Sequence, residues 1–263
     1  MSIPGILSKI VETKKIEVAE LKKREAEILS DAAAVKRTPL PFKETLASFN
    51  GLAVISEVKK ASPSAGVICP DFEPVKMATA YEAGGAAAIS VLTDIDYFQG
   101  HPDYLKNIRA HVKIPLLRKD FIIDELQIHE ALTLGADTYL LIVAILSPED
   151  LKYLIGVGKK LGMTPLVEIH DEEELDIALA AGAEVIGVNN RDLRNFTVDM
   201  GLTAKLSSKV PKGCILIGES GIKTVEDAAG LKKAGCKGIL IGETLMREGL
   251  EGCGKMIGEL ITC

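Results

Sequence analysis

Four times along the chain a stretch of helical character ends in glycine and an apolar run of strand length follows at once. The instances are "YEAGGAAAISVLT" (81–93), "ALTLGADTYLLIVA" (131–144), "ALAAGAEVIGVNN" (178–190) and "LKKAGCKGILIGE" (231–243). Glycine at that junction supplies a left-handed cap that lets a helix turn sharply, and the following run has the length and branching of a strand buried on both faces. Each phrase is therefore one helix-to-strand unit. With the strands that lack the phrase, eight are expected: 53–59, 87–92, 115–119, 139–144, 164–168, 185–189, 214–219 and 238–242. Amphipathic stretches such as "EPVKMATAYEAG", "PEDLKYLIGVGKKLG", "DEEELDIALAAG" and "TVEDAAGLKKAG" lie between them and open on residues that start helices. Eight alternations of β and α in this length predict an α/β fold of the closed (β/α)8 TIM-barrel kind rather than an open doubly wound sheet. No G-x-G-x-x-G follows the first strand, which argues against dinucleotide binding.

Residues 1–263 read as one barrel domain, of which 1–47 form a helical N-terminal extension. Ile6, Ile10, Val11, Ile16, Val18 and Leu21 lie at helical spacing among Lys and Glu, so one long helix is expected, with a shorter one near "PFKETLA". The extension either packs as a plug or covers the active site. A formal net charge of −6 offers no basic excess for nucleic acid or an anionic membrane. No apolar run of spanning length and no long apolar leader is present, so neither a membrane location nor export is expected. Five scattered cysteines without a CxxC pair suit reduced thiols in a cytoplasmic protein. The four histidines show no metal-ligand spacing, and neither a metal nor an organic cofactor is expected. The charge-rich helices fit a monomer.

In such a barrel the chemistry sits at the C-terminal ends of the strands, and side-chain alternation decides which residues can meet there. Glu57 and Lys59 share one parity at the end of strand 1. Strand 3 ends in Lys119, strand 5 in Glu168, strand 6 in Asn189 with Arg191 two further on, and strand 7 in Glu219 and Ser220. Lys60, Arg118 and His170 have the other parity or lie past the rim and read as solvated or structural. Unpaired buried charge is costly, so five strands delivering acids and amines to one rim argue for general acid and base work. Mutual pairing would hold these groups ionised, while burial would push the amine pKa down and the carboxylate pKa up. "GESGI" (218–222) and "LIGETLM" (240–246) put Gly between a strand and a helix start, as a phosphate site after strands 7 and 8 requires.

With the rim assembled, the chain resembles the indole-3-glycerol phosphate synthase family. The resembling segments are "ILSKIVETKKIEVAELK", "VISEVKKASPSAGVI", "ISVLTDIDYFQG", "LLRKDFIIDELQIHEA", "PLVEIHDEEEL", "IGVNNRDLRNF", "IGESGI" and "LIGETLMR", in family order over nearly the whole chain. The resemblance implies a small-molecule substrate, 1-(2-carboxyphenylamino)-1-deoxyribulose 5-phosphate, and a lyase of tryptophan biosynthesis that closes its indole ring with loss of CO2 and water. It places catalytic roles on Glu57, Lys59, Lys119, Glu168, Asn189 and Glu219, with Lys119 as the main general acid and Glu168 and Glu57 serving the dehydration. It places substrate binding on Ser62, Phe98, Arg191, Ser220, Gly221, Gly242 and the amide of residue 243. Glu243 departs from the pattern, because a small residue often stands there; its carboxylate has to point away from a phosphate. Whether Lys59 holds the phosphate or donates a proton stays open at this level. The rival readings are another phosphosugar barrel, such as a phosphoribosylanthranilate isomerase relative, and a catalytically silent binding barrel.

Overall fold

The computed structural model describes residues 5–63, 65–192 and 196–263. The first four residues of the expected extension, and Ser64, Leu193, Arg194 and Asn195 of the resembling segments, lie outside the described residues. The expected strands form as Ala53–Val58 (β1), Ala88–Leu92 (β2), Leu116–Lys119 (β3), Thr138–Ile142 (β4), Leu166–Ile169 (β5), Val185–Asn189 (β6), Ile215–Glu219 (β7) and Gly238–Ile241 (β8). Each pairs in parallel with the next, and β1 pairs with β8 to close the barrel. Among the described residues no helix is long and apolar enough to cross a membrane.

Three helices precede β1: Gly5–Lys22 (α1), Glu25–Ala34 (α2) and Phe42–Ser48 (α3). The outer layer is built from Pro74–Ala83 (α4), Pro102–Arg109 (α5), Glu125–Leu134 (α6), Pro148–Lys160 (α7), Glu172–Ala181 (α8), Gly201–Ser207 (α9), Val225–Lys233 (α10) and Glu243–Thr262 (α11). Asp124, Ser147, Asp171 and Thr224 cap their helices by accepting a backbone N–H from the first turn. The glycines of the recurring phrase, Gly85, Gly135, Gly182 and Gly235, all have positive φ, between 89° and 102°. That backbone favours glycine, which explains why the phrase repeats.

Alternation along the strands separates two cores. Ala53, Ile55, Leu117, Leu140, Leu166, Val185, Ile217 and Leu240 fill the barrel interior, while Val54, Val91, Leu141, Val167, Val188 and Ile239 face the helices. Carrying the interior parity forward to the strand ends reaches Glu57, Lys119, Glu168, Asn189 and Glu219. The strand register then sets them side by side, with Asn189 opposite Glu219.

The extension differs from the single long helix expected. It breaks at Lys23 and Arg24, where the backbone tightens into i−3 hydrogen bonds, and continues as α2 along α6. The buried stripe of α1 runs Leu7, Ile10, Val11, Lys14, Val18, and its continuation would fall on Lys22 and Glu25, which are polar. Ile28 and Ala32 of α2 are buried on a different line. Both readings of the extension hold at once. Phe42 and Leu46 of α3 join the interior core, whereas Ile6, Leu7 and Ile10 of α1 line the cavity at the other end. Between α2 and α3, Arg37 and the amide of Leu40 bind Asp137, which also takes Arg109 and the amide of Leu116.

Candidate active site

The strand ends open into one cavity, and all thirteen residues expected at the site line it. At its base Lys119 Nζ donates to Glu219 Oε2 at 2.7 Å and to Glu168 Oε2 at 3.2 Å. Asn189 Nδ2 donates to Glu168 Oε1 at 3.2 Å, and Asn189 Oδ1 accepts the Arg191 amide at 3.1 Å. Nearer the rim, Lys59 Nζ pairs with Glu57 Oε1 at 2.6 Å. The loop after β1 folds into a short hairpin in which Ala61 and Ser62 oppose Val67 and Gly66, and Ser62 Oγ accepts the Ala65 amide.

Pairing and burial compete at Lys119, Glu57, Glu168 and Glu219. Burial disfavours the Lys119 ammonium, yet Glu219, Glu168 and Glu57 outweigh it and hold the pKa well above the lysine range. Of the two opposed effects expected at this amine, pairing outweighs burial. Glu57 is likewise buried but held ionised by Lys59 and Lys119, and Glu168 is held well below the carboxylate range by Lys119 and His170 against its own burial. Glu219 alone goes the other way. Burial dominates over Lys119, Glu168 adds like charge, and its pKa is pushed up to about 7. The carboxyl tuned to neutral pH is therefore on β7.

Two glycines exist because carboxylates occupy their space. A Cβ on Gly187 would lie 1.9 Å from Glu219 Oε1, and one on Gly242 would lie 2.5 Å from Glu57 Oε1. Across the mouth, Ser220 and Gly221 have φ of 65° and 81°, conformations that turn the chain sharply after β7. Thr244 Oγ1 donates to the carbonyl of Ile222 at 2.7 Å and fastens this turn to the start of α11. Gly242 and the first turn of that helix so present backbone N–H groups beside the β7 loop. The Glu243 carboxylate lies along α11, accepting from Arg247 Nε and Nη2 at 3.1 and 2.8 Å, in accord with the expectation that it points away.

The opposite wall is apolar. Phe98 stands 5.9 Å from Phe121, ring centroid to centroid, with Ile6, Leu7 and Ile10 of α1 also lining the cavity. Helix α1 is held there by Lys14, whose Nζ is 2.8 Å from Asp94, 3.0 Å from Asp120 and 2.9 Å from Glu17. Asp94 in turn accepts the amides of Tyr97 and Phe98, and Asp120 binds Arg118 and Thr93. Arg118 faces the outer layer, as its parity required.

The sequence reading missed four residues. Lys14 sits in the middle of the apolar stripe of α1, four after Ile10 and four before Val18, and a lysine on a buried stripe was the available signal. Ile16, expected to be buried, is 68 % exposed. Phe121 directly follows the Lys-Asp pair of β3. Gly187 breaks the branched run of β6. His170, expected to be solvated, is buried against Glu168 and Glu174.

The sequence profile of indole-3-glycerol phosphate synthase matches residues 7–252. The indole-3-glycerol phosphate synthase of Desulfotalea psychrophila is 50 % identical over 249 residues, covering 94 % of this chain and 95 % of its own. Those of Chlorobaculum tepidum and Acetivibrio thermocellus are each 48 % identical, over 91 % and 92 % of this chain and 94 % of their own. Among solved structures, a thiamine phosphate pyrophosphorylase from Pyrococcus furiosus superposes with a TM-score of 0.59 at 19 % identity, over 80 % of this chain and 94 % of its own. A mandelate oxidase does so with 0.60 at 16 %, over 80 % and 71 %. At such identities these two share the fold alone. The chain belongs to the indole-3-glycerol phosphate synthase family.

Proposed function

We propose that this barrel closes the indole ring of 1-(2-carboxyphenylamino)-1-deoxyribulose 5-phosphate, releasing CO2 and water, with residues 1–263 acting as one domain. The observation that carries the reading is the buried Lys119 ammonium, hydrogen-bonded to Glu219 and Glu168 at the base of a cavity with an apolar wall and an anion-binding mouth.

The phosphate sits at the β7 turn and the start of α11, where N–H groups and the helix dipole favour an anion. Lys59, Arg191 and Ser62 complete it. Lys59 lies near enough to Glu243, at the start of α11, to help lower its pKa, which favours the phosphate end over the ketone for this lysine. The aromatic ring packs against Phe98, and holding both ends folds the substrate so that ring carbon and ketone meet; such positioning is worth several kcal/mol.

As the ring carbon attacks the ketone, negative charge grows on its oxygen. Lys119 offsets that charge and delivers the proton, and Asn189 and Glu168 keep the ammonium aimed. Loss of CO2 returns the electron pair to the ring. The hydroxyl then leaves as water, which needs an acid with a pKa near neutrality. Glu219 meets that condition, whereas Glu168 and Glu57 are held ionised and fit proton acceptance and orientation. On this reading Glu219 is the dehydration acid, where the sequence alone offered Glu168 and Glu57 for the acid and the base and Lys59 as a further acid.

The test is indole-product fluorescence with the synthetic substrate. Lys119→Ala should lower turnover by roughly 10²- to 10⁴-fold with modest change in binding. Near-normal turnover in that variant, or no product from folded wild type, would overturn the reading. We read the protein as a cytoplasmic monomer acting on a small molecule; the net charge of −6 supports this over nucleic acid as a partner. Sedimentation at protomer mass is the expected result.

A further inference from the structure

His170 follows β5 and lies between two carboxylates, with 15 % of its side chain exposed. Its Nδ1 is 3.0 Å from Glu174 Oε2, and its Nε2 is 3.3 Å from Glu168 Oε1. The same Glu174 oxygen accepts the His170 amide at 2.7 Å, so one oxygen clamps both ring and backbone. Glu174 is itself fixed in the first turn of α8, where its amide donates to Asp171.

A neutral imidazole carries one N–H and would turn a lone pair toward one of the two carboxylates. Only the imidazolium suits both. The Nε2 contact with Glu168 is short enough for an ion pair but lacks the alignment of a full hydrogen bond, so the ring acts on Glu168 mainly through its charge. The charged groups facing the ring are Glu168 from β5 and Glu174 from α8. Behind Glu168 stand Lys119 and, beyond it, Glu219. Burial of the ring opposes its charge, but the two glutamates outweigh burial and hold the imidazolium up to about 10.

Charge balance across the pocket gives the ring a purpose. Here Lys59 pairs with Glu57, Lys119 lies between Glu168 and Glu219, and His170 lies between Glu168 and Glu174. Glu219 shares its ammonium, Lys119, with Glu168, on which His170 also acts. We propose that His170 is a positioning residue for Glu168: clamped by Glu174, its imidazolium fixes Glu168 and keeps it ionised, so that a proton taken up at this end of the pocket goes to Glu219 first. The inference rests on the ring-closing reading only for its kinetic consequence; the protonation state of His170 stands apart from it.

Two measurements test it. In the wild type, histidine-selective 15N labelling gives four pairs of ring-nitrogen signals, one pair each for His101, His111, His129 and His170. The pair lost in His170→Asn should have both nitrogens protonated at pH 8, and in Glu174→Gln it should begin to lose a proton at lower pH. Kinetically, His170→Asn should lower kcat roughly tenfold, as loss of one charged buried contact implies, with KM within about twofold. The acid limb of its kcat profile should move to higher pH, because Glu168 now protonates more readily. Should His170→Asn not fold, Glu174→Gln is expected to move kcat and the acid limb the same way. A His170 signal titrating near the ordinary histidine value, or an unchanged kcat profile in the folded variants, overturns the proposal. Failure of the wild type to make product would leave the spectroscopic result intact and would count against the reaction instead.

Discussion

Replacing Lys14 with methionine keeps most of the side-chain volume and removes one charge from beneath α1. The ammonium is 1 % exposed and lies within 3.0 Å of Asp94 and Asp120, themselves 0 % and 3 % exposed. Breaking a buried pair by removing one partner costs about 3–5 kcal/mol, because the remaining charge stays buried. Here both aspartates keep other partners: Asp120 retains Arg118, Thr93 and the Phe121 amide, and Asp94 retains the amides of Tyr97 and Phe98. The lower end, about 3 kcal/mol, therefore applies. At roughly 2 °C per kcal/mol for a chain of this size, melting should drop by about 6 °C if α1 unfolds with the barrel. If α1 instead detaches alone, the same energy shifts its docking equilibrium by roughly 150-fold. Protease cleavage around residues 15–24 would then precede global melting. In either case KM should rise, since α1 and the Phe98 turn form the apolar wall, while kcat should hold because Lys119 keeps Glu219 and Glu168. The folded-state pKa of Lys14 is raised: burial opposes its charge, but Asp120 and Asp94 outweigh that. Its stabilisation is thus fully present below the ordinary lysine pKa and lost only as pH climbs through the raised value. Unchanged melting together with an unchanged KM would refute the assignment of Lys14 as the anchor of this helix.

Gly187→Ala would place a methyl 1.9 Å from Glu219 Oε1, forcing the carboxylate off Lys119. A misplacement of that size should lower kcat about 10²-fold with the fold retained, whereas Gly230→Ala, whose added Cβ meets nothing within 4 Å, should leave kcat unchanged. The raised pKa of Glu219 also makes a signed stability prediction. The folded protein holds a proton there that the unfolded chain has lost, so this group lowers stability as pH rises from about 4.5 toward about 7. Denaturant titrations across that range should show a smaller fall in Glu219→Gln than in the wild type, and equal slopes would remove Glu219 as the proton carrier.

Much of the catalytic end was legible because a strand has a period of two. Once 53–59, 185–189 and 214–219 read as strands in a closed barrel, the side of Glu57, Asn189 and Glu219 followed without coordinates. The glycine loops proposed to hold phosphate were legible for a similar reason, since a glycine between strand and helix exposes backbone N–H groups whatever surrounds it. Lys14 and His170 were not legible in the same way. Each needs partners brought from other elements: Asp94 and Asp120 from the loops after β2 and β3 for the lysine, and a carboxylate on either side for the ring.

Local rules, then, determined the barrel, its strand ends and the residues that gather there, because periodicity, caps and turn glycines act over a few neighbouring positions. Tertiary structure decided which charge wins at each of those residues. Lys119 stays an ammonium because Glu219, Glu168 and Glu57 converge on it, Glu168 stays ionised because Lys119 and His170 flank it, and Glu219 is pushed up to about 7 because burial outweighs the share of Lys119 that it receives. Coulomb energy depends on distance through space and on desolvation, and neither quantity is written in the order of residues along the chain.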